Sequence, residues 1–253
     1  MALFYLRGEY LGRIDAVLFD KDGTLSYSQP NLEILAQARI FHSQQLIHPK
    51  ERENLRNLLE TSYGLNKGIL NPGGAIAVAS RQNNLISTAT AFCQTGLIWP
   101  NALKYSSVVF HISDNYFKST NEVIDKTTEL LLPFIESLND YKVICGVISN
   151  DSEVGIWQFL RHHKLRHLVK MIWSASDRPS KPNPQTIYHF CEVARINPAH
   201  CLLISDADTD LYMGEKAHVS LSLGYTKGWK SKTSLFFGNY SIDNWSEITL
   251  TNH

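Results

Sequence analysis

The stretch that decides the fold runs from Ile14 to Leu25 and reads IDAVLFDKDGTL. It begins with a short apolar run and stops abruptly at a polar turn that contains Gly23. A run of this kind is typical of a parallel β-strand buried on both faces, with its carboxyl end meeting a loop. Two carboxylates, Asp20 and Asp22, therefore lie at the end of a predicted buried strand.

Strand-like runs return in the second half of the chain and alternate with helical patterns. The predicted strands span residues 142–148, 168–173, 201–204 and 219–223, and predicted helices follow the first, second and third of these strands. Because strands alternate with helices, we predict an α/β fold with a doubly wound, Rossmann-like parallel sheet. The N-terminal residues 4–12, FYLRGEYLG, predict a hairpin at the edge of that sheet.

A helical block interrupts this series after the first strand. Apolar residues recur there at three- and four-residue spacing, which indicates amphipathic helices. The segments with this spacing are 31–47, 50–63, 74–83, 85–97 and 120–138. Since the first strand belongs with the later ones, we interpret the block as an insertion. We predict a core domain of residues 1–27 and 139–253, with an α-helical subdomain of residues 28–138 inserted into it.

The amino-acid composition argues against several classes of function, among them general nucleic-acid binding and a membrane-spanning protein. The 253 residues contain 24 Lys and Arg and 24 Asp and Glu, so the formal net charge is zero. General nucleic-acid binding needs an excess of basic residues and is not expected. No apolar run approaches the roughly 18 residues of a membrane span. The four cysteines form no CxxC pair, which favours reduced thiols. We predict a cytoplasmic protein without nucleic-acid or membrane partners, and no pattern indicates its oligomeric state.

Polar residues suited to phosphate chemistry stand at the ends of the predicted strands or in the loops beside them. They are Asp20, Asp22, Ser149, Asn150, Lys181, Asp206 and Asp210. Ligands of such sheets bind beyond the carboxyl ends of the strands, so we expect these side chains to meet. Clustered acids with a hydroxyl and one lysine suit a hard divalent cation beside a phosphoryl group.

Four motifs, FDKDGTL, ISN, KPNP and LISDADTD, resemble in this order the motifs of the haloacid dehalogenase-like (HAD) superfamily. The resemblance covers roughly residues 14–27 and 140–224. The helical insert resembles the small cap of the subgroup that includes phosphoglycolate phosphatases and β-phosphoglucomutases. Haloacid dehalogenases lack a second acid at the position of Asp22, so its presence favours phosphoryl transfer.

The resemblance assigns roles to these residues. Asp20 would be the nucleophile that forms an aspartyl-phosphate, and Asp22 would protonate the leaving oxygen and then activate water. The second role needs a raised pKa, which we expect nearby negative charge to provide for Asp22. The catalytic set implied is Asp20, Asp22, Ser149 and Lys181. The phosphate-binding set implied is Asp20, Gly23, Thr24, Ser149, Asn150 and Lys181.

The resemblance also implies Mg²⁺ as the cofactor. Its ligands would be Asp20, the backbone carbonyl of Asp22, and Asp206, while Asp210 would orient metal-bound water or Lys181. In most family members a glycine precedes the metal-binding aspartate, and here Ser205 stands in that place.

Simpler interpretations remain open for several residues. Ser149 and Asp206 also suit the N-cap of a following helix, and Lys181 suits a solvated loop. Arg81 is either a surface residue or a ligand for a substrate carboxylate. Trp229 either packs onto the core or belongs to an aromatic binding surface.

We therefore predict a Mg²⁺-dependent phosphatase whose partner is a small phosphorylated metabolite such as phosphoglycolate or a sugar phosphate. A phosphomutase would retain the same motifs and return the phosphoryl group to another hydroxyl of its substrate. A phosphate-binding regulatory protein without turnover is the third alternative.

Overall fold

The computed structural model describes residues 2–119, 124–231 and 235–252, without the side chains of residues 116–119. The chain divides into two compact units. Met1–Ser28 and Asp125–His253 form one, which we call the α/β unit, and Gln29–Ile124 form the other, which we call the helical unit.

Strands and helices alternate along most of the α/β unit, and the elements of both units are numbered together in chain order. The strands in chain order are β1 (Ala2–Leu6), β2 (Glu9–Ile14), β3 (Ala16–Phe19), β4 (Leu65–Asn66), β5 (Ile69–Leu70), β6 (Ile144–Ile148), β7 (Val169–Trp173), β8 (Cys201–Ser205), β9 (Leu221–Tyr225), β10 (Tyr240–Ile242) and β11 (Ile248–Thr251). The α-helices are α1 (Gln29–Gln44), α2 (Arg52–Tyr63), α3 (Ala75–Val78), α4 (Arg81–Gln94), α5 (Trp99–Ser119), α6 (Leu131–Asp140), α7 (Glu153–His162), α8 (Gln185–Ala194) and α9 (Asp208–Lys216).

The main sheet of the α/β unit has six parallel strands in the order β10-β9-β8-β3-β6-β7. Strand β3 lies inside this sheet, and all four of its residues are buried. Val17 and Phe19 belong to one hydrophobic cluster and Ala16 and Leu18 to another, because successive side chains point to opposite faces. The doubly wound parallel sheet predicted from the sequence is confirmed.

The N-terminal hairpin forms as predicted, but it does not lie at the edge of the main sheet. Strands β1 and β2 instead join β11 in a separate antiparallel sheet of order β11-β1-β2. Phe4 and Leu6 of β1 are buried in the same core cluster as Phe19. The predicted position at the edge of the main sheet was wrong, because pairing of the first strand with the last leaves no local signal.

The helical unit contains α1 to α5 and the short hairpin of β4 and β5. No helix was predicted between residues 97 and 120, because Trp99-Pro100 is typical of a break, but α5 begins at this dipeptide. Proline is favoured in the first turn of a helix, since its missing N–H would have no intrahelical partner. Among the described residues, no helix is both long and apolar enough to cross a membrane.

The point where the chain returns from the helical unit to the α/β unit differs from the prediction. The α/β unit resumes at Asp125 and not at residue 139, and it includes α6. Leu131, Ile135 and Leu138 of α6 are buried in the same core cluster as Phe19, which explains why this helix belongs to the α/β unit. A helix over 120–138 was predicted; residues 120–123 lie outside the described ranges, and α6 begins only at Leu131.

Candidate active site

Three adjacent strands bring the predicted site residues together. Asp20 follows β3, Ser149 follows β6 and Asp206 follows β8, and β3 pairs with both β6 and β8. The register sets Phe19 opposite Val147 and Ile204, so the three polar residues leave the sheet within one residue of the same level. The backbone N–H of Asp20 donates to Ile204 O at 3.0 Å and extends the pairing to the site itself.

Lys181 links two carboxylates at this edge of the sheet. Its Nζ lies 2.6 Å from Asp20 Oδ1 and 2.6 Å from Asp210 Oδ2. The Lys181 side chain is 5% exposed, so this is a buried ion cluster and not a solvated loop lysine. Burial alone would lower the pKa of Lys181, but Asp20 and Asp210 raise it above its usual value. The ammonium is therefore charged.

Both oxygens of Asp206 accept hydrogen bonds from the chain. Thr24 Oγ1 donates to Oδ1 at 2.8 Å and also accepts the backbone N–H of Asp206 at 3.0 Å. Trp229 Nε1 donates to Oδ2 at 2.6 Å. The carboxylate is thus fixed by a hydroxyl from the loop after β3 and an indole from the loop after β9.

The site carries more negative than positive charge. Asp20, Asp206 and Asp210 are all buried, and Lys181 is the ammonium in contact with two of them. Burial, outweighing the effect of Lys181, raises the pKa of Asp20 to about 6, and the nearby Asp210 adds to this. Burial and the charge of Asp20 raise the pKa of Asp206 well above its usual value. A nearby cation stabilises the ionised form of buried carboxylates such as these, whose pKa values are raised.

The donor chemistry fits Mg²⁺, which binds carboxylate and carbonyl oxygens and keeps several waters. In ranges 2–119, 124–231 and 235–252, no three acidic, His or Cys side chains already surround one point as a complete ligand set. Lys181 instead lies between Asp20 and Asp210. The residues present thus match the cation in donor chemistry and in charge, while in the part of the chain that the structure describes their side chains do not converge on one point.

Asp22 differs from expectation. Its Oδ1 receives Lys21 Nζ at 2.6 Å and the hydroxyl of Ser28, with Ser26 Oγ at 3.4 Å. Burial tends to raise the pKa of Asp22, but Lys21 and the hydroxyl of Ser28 lower it below its usual value. The prediction of a raised pKa was wrong, because Lys21 turns back onto Asp22 and, with the hydroxyl of Ser28, outweighs the effect of burial.

Lys21 itself is held between two acids. Its Nζ lies 2.6 Å from Asp22 Oδ1 and 3.2 Å from Asp151 Oδ2, and its side chain is 6% exposed. Despite burial, Asp22 and Asp151 raise the pKa of Lys21. The lysine between the two motif aspartates therefore ties the loop after β3 to the turn before α7.

Replacing Lys21 by methionine is expected to destabilise the α/β unit, because it leaves two acids without their buried cation. Asp22 and Asp151 are partly solvated, so we expect a loss of about 2 to 4 kcal/mol in the free energy of unfolding. Urea unfolding followed by circular dichroism measures this. Lys216→Met, which breaks an exposed pair with Glu215, is the matched control and should change little. Equal stability of the two variants would contradict this interpretation.

A family model for haloacid dehalogenase-like hydrolases matches residues 14–218 of the chain. The chain belongs to this family. A phosphoglycolate phosphatase from Psychrobacter arcticus is 41% identical over 76 residues, which cover 29% of this chain and 32% of that protein. The match thus spans about a third of that relative's length.

Solved structures share the fold over nearly the whole length of this HAD-like hydrolase. A predicted phosphoglycolate phosphatase from Haemophilus somnus aligns with a TM-score of 0.66 at 18% identity, over 92% of this chain and 96% of that one. A HAD-hydrolase from Bacillus subtilis, bound to magnesium, aligns with a TM-score of 0.62 at 16% identity, over 93% and 96%. At these identities the likeness is one of fold.

Ser205 stands where most family members have glycine, and in this HAD-like hydrolase its side chain has a role of its own. Its buried hydroxyl donates to Asp210 Oδ2 at 2.8 Å and accepts the backbone N–H of Ala207 at 3.2 Å. The residue that replaces glycine thus holds Asp210, on the first turn of α9, toward Lys181.

Four of the residues predicted to bind phosphate, Gly23, Thr24, Ser149 and Asn150, lie in two turns. Ser149 Oγ accepts the backbone N–H of Asp151 at 3.1 Å, which leaves its O–H as a donor, and Asn150 lies half-buried beside it. Gly23 has φ 78°, in the left-handed region that favours glycine. The hydroxyl of Thr24 serves Asp206, as described above. The contacts of these residues with a phosphate stay predictions.

Arg81 of the helical unit has a carboxylate partner within that unit. Its Nε and Nη2 each lie 2.7 Å from Asp114 Oδ2, and the side chain is half exposed. This geometry favours the interpretation of Arg81 as a surface residue paired within its own unit.

Trp229 is a residue of the site whose contact with Asp206 sequence reasoning did not identify. It packs against the core, as the first of its two interpretations held, but its indole N–H ends on a predicted metal ligand. No motif marks a tryptophan that lies outside the four motif segments of a HAD-like hydrolase. Lys21 was missed although it stands between two acids in DKD, which was the available signal.

Proposed function

We propose that this HAD-like hydrolase is a phosphatase that hydrolyses a small phosphomonoester through a phosphorylated Asp20. The observation that carries the proposal is the buried contact of Lys181 Nζ with Asp20 Oδ1 at 2.6 Å, beside Asp206 and Asp210. A buried ammonium on one oxygen fixes the carboxylate and leaves the other oxygen for attack. It also offers positive charge where an anionic phosphoryl group would arrive.

In the first step, an Asp20 oxygen attacks phosphorus and the bond from phosphorus to the leaving oxygen breaks. The products are the acyl phosphate of Asp20 and an alcohol, whose proton comes from the carboxyl group of Asp22. Lys21 lowers the pKa of Asp22, so the free site holds the ionised form. The negative charge of a bound phosphomonoester opposes this effect and favours protonation of Asp22.

In the second step, water attacks the phosphorus of the acyl phosphate. Asp22, now ionised, takes a proton from that water, and the bond from phosphorus to the Asp20 oxygen breaks. Inorganic phosphate leaves, Asp20 returns as a carboxylate, and Asp22 is again protonated. The low pKa that Lys21 imposes disfavours the protonated Asp22 that the first step needs, and it favours the ionised Asp22 that the second step needs. Substrate binding is therefore the event that protonates Asp22.

Asp20, Asp206 and the backbone carbonyl of Asp22 would hold Mg²⁺, with Asp210 beside them. When bound, Mg²⁺ supplies positive charge that offsets the repulsion between a carboxylate and a phosphate. The excess of buried carboxylates over ammonium groups, described above, supports this assignment.

The substrate class we propose is a small organic phosphate such as phosphoglycolate or a sugar phosphate. The Psychrobacter arcticus relative is a phosphoglycolate phosphatase and supports the first of these. The role of the helical unit as a cap stays a prediction from the sequence.

The experiment is release of inorganic phosphate from a panel of small phosphomonoesters, with Mg²⁺ and with EDTA. We expect release that stops in EDTA and returns when excess Mg²⁺ is added, because the carboxylates cannot by themselves accept a phosphate dianion. The ester with the highest kcat/KM identifies the substrate class.

Two results would overturn the proposal. Absence of release from every ester, in a preparation that is folded by circular dichroism, would argue for a binding protein. Turnover that needs a sugar bisphosphate, and that moves the phosphoryl group between hydroxyls without releasing it, would identify a phosphomutase.

A further inference from the structure

We propose that the indole N–H of Trp229 holds Asp206 in the orientation that binds a divalent cation. Trp229 then sets the metal affinity of the site and reports on its occupancy. The inference rests on the proposed function, because it takes Asp206 as a metal ligand.

The contact is short and buried. Trp229 Nε1 lies 2.6 Å from Asp206 Oδ2, and the two residues are 6% and 5% exposed. An indole carries one N–H donor and no acceptor, so toward a carboxylate it acts only as a donor. Its apolar ring also keeps water from the side of Asp206 that it covers.

Two glycines make room for this contact. A Cβ at Gly23 would overlap both Trp229 Nε1 and Asp206 Oδ2. A Cβ at Gly228 would overlap the backbone carbonyl of Gly23. Glycine on both sides therefore lets the segment that carries Trp229 lie directly against the loop of the first motif.

The hydrogen bonds leave Asp206 able to bind a cation. An ionised carboxylate has about four lone-pair positions, two on each oxygen. Thr24 takes one position on Oδ1 and Trp229 takes one on Oδ2. Each oxygen keeps a free position, while rotation of the carboxylate is blocked from both sides. Partners of metal-binding side chains act in this way, and their loss weakens metal binding about 10- to 100-fold.

The test compares two tryptophan replacements. Trp229→Phe retains an aromatic ring and removes the N–H. Trp157→Phe is the matched control, because Trp157 lies in the same unit and stacks under Arg166, with Cζ 3.9 Å from the ring centroid. Mn²⁺ binding is measured by the electron paramagnetic resonance signal of the free ion. Circular dichroism and thermal unfolding check the fold of each variant.

We expect the Kd for Mn²⁺ to rise about tenfold or more in Trp229→Phe and to stay at the wild-type value in Trp157→Phe. Phosphate release by Trp229→Phe should recover toward the wild-type kcat at saturating metal, since Asp20 and Lys181 are intact. A tryptophan that only packs would change stability without changing the dependence on metal.

The second readout uses the wild-type chain labelled with 5-fluorotryptophan. Mg²⁺ should shift one fluorine resonance, and that resonance should be missing from Trp229→Phe. Even where Trp229→Phe does not fold, this measurement can overturn the inference, because a labelled wild type should show a resonance sensitive to Mg²⁺ and the absence of one contradicts the role of Trp229.

The remaining outcomes separate the two proposals. A wild type that binds Mn²⁺ and a folded Trp229→Phe with the same Kd would overturn the role of Trp229 and leave the phosphatase standing. A wild type that binds neither Mn²⁺ nor Mg²⁺ would overturn the metal-dependent phosphatase, and the role of Trp229 with it.

Discussion

Asp20→Asn is expected to lower kcat for phosphate release by about 10⁴-fold or more, because the carboxamide oxygen is not a nucleophile toward phosphorus. The change is nearly isosteric, and Lys181 retains an oxygen partner at that position. The fold should therefore survive while turnover stops. The measurement is phosphate release at saturating Mg²⁺ from the best ester of the panel. Wild type quenched in acid during turnover should carry a phosphoryl group on the peptide that contains Asp20.

Asp208→Asn is the matched control for this variant. Asp208 lies in the same motif as Asp206, but its Oδ1 accepts the backbone N–H groups of Phe236 and Phe237 at 2.8 and 2.9 Å. The same carboxylate-to-amide change there should leave kcat close to wild type. If Asp20→Asn kept more than about a hundredth of the wild-type rate after repurification, another nucleophile would have to be sought.

The central strand and the site could be predicted because their signals are local. The residues of β3 form a continuous apolar run since both faces of the strand are covered, and the polar residues begin where the strand ends. Asp20, Ser149 and Asp206 then meet because β3, β6 and β8 are neighbours in a parallel sheet. Strand ends in such a sheet share one edge, so the chain order of the motifs was sufficient.

Two features of the fold could not be predicted because their causes are ambiguous or distant. Pro100 suits both the end of one helix and the first turn of the next, and it lies in the first turn of α5. The partner of β1 is β11, where Leu3 pairs with Thr251 across almost the whole chain. Pairing over such a distance depends on how the termini pack and not on any pattern near residue 3.

The electrostatics of the site depend on side-chain directions that spacing does not give. Lys21 follows Asp20, and alternation along an extended segment would have turned it away from Asp22. The tight loop after β3 instead brings its ammonium onto Asp22 and Asp151. Trp229 reaches Asp206 only through the facing glycines of two loops. The contacts of Lys21 set the charge of Asp22 and the contact of Trp229 orients Asp206, and neither contact follows from the spacing of the motifs.

Lys181→Met is expected to lower kcat/KM by about 10³-fold, because it removes the buried ammonium that contacts the nucleophile. Methionine keeps much of the length and the apolar stem of lysine, so packing is largely retained. The side chains of Asp20 and Asp210 would then face each other without their shared cation. The loss has two parts, weaker stabilisation of the phosphoryl oxygens and a smaller fraction of ionised Asp20.

The smaller fraction of ionised Asp20 gives the kcat/KM of Lys181→Met a distinctive pH dependence. Burial and Asp210 raise the pKa of Asp20, and Lys181 lowers it. Removing Lys181 therefore raises the pKa of Asp20 further, and the nucleophile becomes ionised only at higher pH. The acidic limb of kcat/KM should move to higher pH, so the defect should be largest at low pH and smaller at high pH. The pH profile at saturating Mg²⁺ measures this for wild type and variant.

Lys170→Met provides the control, since Lys170 is exposed on β7 in the same unit. Its profile should coincide with that of wild type. A Lys181→Met profile that is lowered equally at every pH would mean that Lys181 acts only on the phosphoryl oxygens and does not set the ionisation of Asp20. A profile unchanged in height would mean that the contact of 2.6 Å between Lys181 and Asp20 has no part in turnover. Either result would separate the charge of Lys181 from the reactivity of Asp20, two properties that the buried cluster joins.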